Sequence, residues 1–176
     1  MKCKQIVQLA LALCLLVVFS ACGAGDWQNQ SSSGTTAESE ENSSSSQAEI
    51  SQDDYADSLD GLCEYLTDSG IISGDPTEME AQLIGAEAGK MYVHAFEGGQ
   101  VTVELYGYDP ENLNDVAKST VNSVKQNGTF TLLGTETAAI LSDNGKYLMI
   151  YKDIKSEEVN VAQKERAEKL FREFKK

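Results

Sequence analysis

A chain of 176 residues carrying 28 acidic and 14 basic side chains, net charge −14, is long enough for one packed domain with appendages and short for two. The charge is lopsided: Lys2 and Lys4 are the only basic residues before Lys90, whereas 15 Asp and Glu residues lie between Asp26 and Glu87. Phosphate backbones and anionic headgroups repel such a polyanion, which argues against a nucleic-acid partner and against docking of the protein surface itself onto a membrane.

The chain opens with a positive segment at Lys2 and Lys4, followed by an uninterrupted apolar run from Leu9 to Phe19. Eleven helical residues rise roughly 16 Å, about half of a ~30 Å hydrocarbon core, so the run fits a targeting segment rather than a permanent span. Small residues then lead into a cysteine, Ser20-Ala21-Cys22-Gly23. Residues 19–23 resemble the lipobox of bacterial lipoproteins, with Phe19 standing where leucine is usual. The resemblance implies that residues 1–21 are a signal peptide, that a diacylglycerol is added to the Cys22 thiol, and that cleavage falls just before it. The alternative is an ordinary secretory signal peptide cut after Ala21, leaving Cys22 a plain thiol. Two acyl chains at ~0.8 kcal/mol per buried CH₂ anchor far more firmly than one.

Residues 22–53 read as a lipidated cysteine and a disordered tether, rich in serine (Ser31–Ser33, Ser43–Ser46) and glutamate (Glu38, Glu40, Glu41). With almost nothing apolar to bury, such a stretch cannot offset an ordering cost of ~1 to 2 kcal/mol per residue. As a flexible coil of about 31 residues it spans roughly 30 Å on average and roughly 100 Å when stretched. Serine-rich tethers of this kind are similar to those of Gram-positive lipoproteins. Trp27 is either an interfacial aromatic next to the anchor or an idle tether residue. Cys3 and Cys14 leave with the signal peptide and Cys22 is acylated, so Cys63 is the one thiol left and a core without disulfides must hold the domain.

Residues 54–176 read as a single α+β domain. Tyr55, Leu59, Leu62, Cys63 and Leu66 mark one face of a helix that ends at Gly70. Asp75-Pro76-Thr77-Glu78 predicts a second helix through Met79, Leu83 and Ile84. Strands are expected over Met91–Phe96 and Val101–Tyr106, turning at the Gly98-Gly99 pair. Asp109-Pro110 predicts a third helix that buries Leu113, Val116, Ala117, Thr120, Val121 and Val124 and stops at Asn127-Gly128. Phe130–Leu133, Thr137–Ser142 and Lys146–Lys152 read as strands, the last two joined by a type I′ turn at Asp143-Asn144-Gly145. A C-terminal helix capped by Ser156 is expected to turn Val159, Ala162, Leu170, Phe171 and Phe174 inward.

The order ααββαβββα favours a mainly antiparallel sheet of about five strands with helices packed on one face. Within it, Leu83-Ile84-Gly85-Ala86, Gly89-Lys90 and Val103-Glu104-Leu105-Tyr106-Gly107-Tyr108-Asp109 resemble small exported α+β domains of clostridial-type lipoproteins, which implies a location and a fold without a chemistry.

No catalytic motif is present. One histidine, His94, excludes a two-histidine zinc motif, and the G-x-S-x-G, S-x-x-K, P-loop and G-x-G-x-x-G patterns are missing. A Cys63–His94 dyad is the only nucleophile pairing available, set against a core cysteine and a mid-strand histidine. Asp53, Asp54, Asp57, Asp60 and Glu64 around Gly61 lack the ligand spacing of a calcium loop and read as a solvated helix face, so no metal and no cofactor is expected.

Tyr92, His94, Phe96, Tyr106 and Tyr108 form the candidate binding face: if helices cover only the Met91, Val93 and Leu105 side, these rings make an exposed stripe for a protein or glycan partner, and otherwise another segment covers them. The expected function is a non-catalytic binding or accessory module held by its lipid on the extracytoplasmic face of the cell membrane. The alternatives are a small extracytoplasmic enzyme using carboxylates such as Glu104 and Asp109, or a small-ligand carrier.

Overall fold

The computed structural model describes residues 50–176; the expected signal peptide, Cys22, Trp27 and the tether up to residue 49 lie outside the described residues. Residues 50–53, expected to be tether, are joined to the domain. Ser51 caps a short 3-10 turn, Gln52–Asp54, and the Gln52 side chain accepts a hydrogen bond from Lys175 N–H at the opposite end of the chain.

Helix α1 (Leu59–Asp68) starts where Ser58 Oγ accepts from Gly61 N–H at 3.1 Å. It ends in a Schellman arrangement, with Gly70 at φ +68° and Ile71 N–H donating to Leu66 O. The segment at Asp75-Pro76 is not a helix. Thr77–Glu78 is a two-residue strand, β1, and Ala81–Ile84 is a 3-10 turn. Glu80 at its start makes no side-chain cap, and the backbone pairs instead with the next strand.

Strands β2 (Ala88–Phe96) and β3 (Gly99–Gly107) form the longest hairpin. Its two-residue loop is Glu97-Gly98, one residue earlier than expected, with φ +43° and +70°, the left-handed pair that a type I′ turn requires. Asp109-Pro110 is a turn closed by Glu111 N–H on Asp109 Oδ1, and helix α2 (Asp115–Asn127) starts later, capped by Asn114. Val116 is exposed on it, while Ala117, Thr120, Val121 and Val124 are buried. Strands β4 (Thr129–Leu132) and β5 (Thr135–Ala138) pair only with each other.

Strands β6 (Ile140–Leu141) and β7 (Tyr147–Asp153) complete the main sheet, antiparallel throughout in the order β1-β2-β3-β7-β6. Their connection is not a type I′ turn. Gly145 N–H closes on Ser142 O, and Gly145 has positive φ but Asn144 does not. Helix α3 (Glu158–Glu173) follows, with Glu157 rather than Ser156 at its N-cap position. Asn160, Ala167, Phe171 and Phe174 point inward; Val159 and Ala162 do not.

The helices do not sit on one face of the sheet. Tyr92, Val101, Val103, Leu105, Tyr147 and Met149 pack against α1 and α3 in one core, centred on Leu62, Leu66, Phe171 and Phe174. Tyr106, Leu148 and Ile150 pack on the other face against α2, the 3-10 turn and Phe130 of β4. At ~1.5 to 3 kcal/mol for each fully buried large apolar side chain, both cores contribute to holding the sheet.

Candidate functional site

Of the two arrangements the sequence leaves open for the aromatic residues, the exposed stripe is not the one adopted. A two-residue hairpin loop pairs residues of opposite parity, so Tyr92 lies beside Val103 and His94 beside Val101, while Tyr106 lies beside Gly89. Tyr92, His94 and Phe96 therefore share one face and Tyr106 and Tyr108 the other. Tyr92, Tyr106 and Tyr108 are buried, at 5%, 3% and 5% exposure, and His94 and Phe96 are half-buried. The helices on both faces cover the rings, as in the second of the two arrangements the sequence leaves open.

The Cys63–His94 dyad is not assembled either. Cys63 is buried, which pushes its thiol up, and it lines a groove together with Tyr92 rather than with His94. Burial lowers His94, whose nearest charge is Asp153, and His94 Nδ1 has no hydrogen-bond partner in the protein. Asp153 itself is taken up by Lys155 N–H and Asn160 Nδ2. A thiol held protonated by burial beside a phenol has no base to activate it.

The acidic residues near the first helix are likewise engaged locally. Asp57 accepts from Lys146 Nζ and the Tyr147 hydroxyl, and Asp60 accepts from Lys90 Nζ. Lys146 in the first place, joined by Tyr147, lowers the Asp57 carboxyl against a smaller opposing effect of burial. Among the described residues no group of three or more His, Cys, Asp or Glu side chains is placed to hold a metal ion.

What remains is a carboxylate in an unexpected place. Glu104 sits mid-way along β3, opposite Met91 on β2 and Ile150 on β7, and is the one charged residue among those described that is buried. Its two oxygens are separately occupied: Lys152 Nζ donates to Oε1 at 2.8 Å, and the Tyr106 hydroxyl donates to Oε2 at 2.9 Å. Burial first, and Glu104 after it, pushes the Tyr106 hydroxyl well above the ordinary tyrosine range, so it stays a donor. Tyr106 is itself fixed from behind, because its ring lies over Gly89, where a Cβ would meet Cδ1 at 2.6 Å.

Above Glu104 the sheet is not roofed. The 3-10 turn supplies Glu80, Leu83 and Ile84, with Met79 before it, and the β4–β5 hairpin supplies Leu132 and Thr137. Because that hairpin makes no ladder to the main sheet, a groove of about 190 Å³ stays open between the two, with Glu104, Tyr106, Ile150 and Lys152 as its floor. Two broader grooves exist, one at Asp57, Glu87, Asp109 and Lys146 and one at Tyr55, Cys63 and Lys90, but their carboxylates are more exposed to solvent than Glu104. Glu104 and Asp109 line different grooves, so they do not work as a carboxylate pair.

In the sequence Glu104 alternates with Val103 and Leu105, which is what a solvent-facing glutamate looks like. The signal that separates the two is tertiary: Tyr106, next on the same face of the strand, and Ile150, the cross-strand partner, both belong to a core, so Glu104 beside them is buried too. Comparison with known protein families, with curated protein sequences and with solved structures finds no match to this chain.

Proposed function

We propose that this chain is a lipid-anchored extracytoplasmic lipoprotein whose folded part is a binding module, with the groove over Glu104 as its ligand site. The observation that carries the anchoring is the Leu9–Phe19 apolar run ending in Ser20-Ala21-Cys22, a positive-then-apolar segment too short to span a bilayer and followed directly by an acylatable cysteine. The serine-rich stretch after it, similar in composition to Gram-positive lipoprotein tethers, supports a domain held away from the membrane.

Binding fits the groove better than catalysis does. A catalytic carboxylate needs an accessible, titrating oxygen within reach of a substrate proton, whereas both Glu104 oxygens are engaged by Lys152 and Tyr106. A buried charge paired with a solvent-exposed lysine, under apolar walls, is the arrangement of a small recognition site. Mass spectrometry of the protein extracted from membranes tests the anchor. An N-terminal residue at Cys22 carrying the mass of a diacylglyceryl group is expected; a chain that begins elsewhere, or that has an unmodified Cys22, contradicts the proposal.

A further inference from the structure

We infer that the groove over Glu104 binds a small aliphatic primary amine, whose ammonium group takes the place of Lys152 Nζ on the Glu104 carboxylate. This inference deepens the reading of the domain as a binding module and rests on it.

Packing does not account for Glu104. Its face of the sheet is built from Tyr106, Leu148 and Ile150, and an apolar side chain of similar volume there is generally neutral or stabilising compared with a buried ion pair. A charge kept in such a position is free to serve recognition.

The two partners differ in their freedom to move. The Glu104 side chain is 8% exposed and fixed in the sheet, whereas Lys152 is 59% exposed on a flexible stem that solvent can receive. When Lys152 swings out, Glu104 is left with the Tyr106 hydroxyl and an uncompensated charge, which favours a second ammonium group in its place. The sign of the ligand follows: Glu80 also lines the groove, Lys152 is its one cation, and the chain as a whole carries −14, so an anion is repelled and a cation attracted.

The shape of the ligand follows from the walls. Met79, Leu83, Leu132 and Ile150 present apolar surface around the carboxylate. A volume of about 190 Å³ corresponds to roughly six waters at ~30 Å³ each, which suits a straight chain of about four to six heavy atoms. Lys152 is already a primary alkylammonium seated on this carboxylate, so the protein carries an internal surrogate for the ligand.

The test is a titration of the full chain in nonionic detergent micelles, with Met, Leu and Ile methyl groups observed by NMR and n-butylamine added at neutral pH. The expected result is saturable shifts at Met79, Leu83, Leu132 and Ile150 that neither n-butanol nor butyrate produces. Lys152→Met removes the internal competitor and is expected to tighten n-butylamine binding by about fivefold to tenfold, while Glu104→Gln abolishes it. If Lys152→Met disturbs methyl groups far from the groove, Lys152→Gln makes the same comparison. No amine-specific shift in either the parent or the Lys152 variant overturns the inference, and so does weaker binding on loss of Lys152. A thermal-shift screen of small polar compounds on the same protein separates the two levels. A compound that stabilises the parent but not Glu104→Gln, with amines inert, refutes the amine and leaves the binding module standing; no compound at all together with inert amines removes both.

Discussion

Gly61 has no room for a methyl group. A Cβ there would lie 2.0 Å from Ala56 O, because the chain before α1 folds back across its first turn. Gly61→Ala is therefore expected to destabilise the protein by about 1 to 3 kcal/mol, read as a lower urea midpoint with an unchanged slope. The glycine that invites a calcium-loop reading of the sequence is thus explained by close backbone approach. Asp57, four residues earlier, makes a second residue-scale prediction. Lys146 and Tyr147 hold its carboxyl below the usual range, so its contribution to stability is complete above the unfolded value near ~3.9 and is lost as pH falls through the lower folded value. Asp57→Asn should be less stable than the parent at pH 7, and the gap in urea midpoints should narrow as the pH falls through the lowered carboxyl value; a gap independent of pH would show that the carboxylate charge is not the cause. The pair is partly exposed, so solvent screening keeps the effect small.

At the scale of elements, the glycine helix stops and the strand alternation were legible, whereas the helix starts and the facing of the strands were not. The Gly70 and Gly128 stops and the paired strands β2 and β3 are all written in local residue types. The turn at Asp75-Pro76 misleads because a proline after an aspartate starts a helix or a bend equally well, and pairing of Thr77 with Met91 decides the matter from a distance. The aromatic face misleads because β2 and β3 carry apolar or aromatic residues on both sides, so only the hairpin parity assigns Tyr92 and Tyr106 to different cores. Helix α3 is hard to read since the first buried residue of its inner stripe is Asn160, a polar group bonded to Asp153. Its far end is better defined. Phe174 is fully buried, stacks on Tyr65 at a 5.4 Å ring separation, and its carbonyl accepts from Asn144 Nδ2 at 3.1 Å. Phe174→Ala should cost about 3 to 5 kcal/mol, checked by urea denaturation, and should speed hydrogen exchange in the last turn of α3. Exchange unchanged there would mean that the β6–β7 turn, through Asn144 and Asp143, holds the helix end without the ring.

For the molecule as a whole, the first and last of the described segments meet. Gln52 bonds Lys175, Tyr55 packs edge-on against Tyr65, and Tyr65 stacks on Phe174, so the stretch that enters the fold from the N-terminal side is fastened to the C-terminal helix. If the preceding residues are a tether, load applied through it falls on this buried aromatic group rather than on a free edge of the sheet. The groove over Glu104 lies on the other face, lined by the second core and its coverings. No helix among the described residues is long and apolar enough to cross a membrane. Membrane residence in this account therefore depends on one side chain. The most direct measurement is fractionation of cells expressing the parent and the Cys22→Ala protein. The account predicts that the parent sediments with membranes and is released by detergent, while the variant does not appear in the membrane fraction as the mature, tether-length protein. Equal recovery of both proteins from membranes, at the same apparent size, would contradict it.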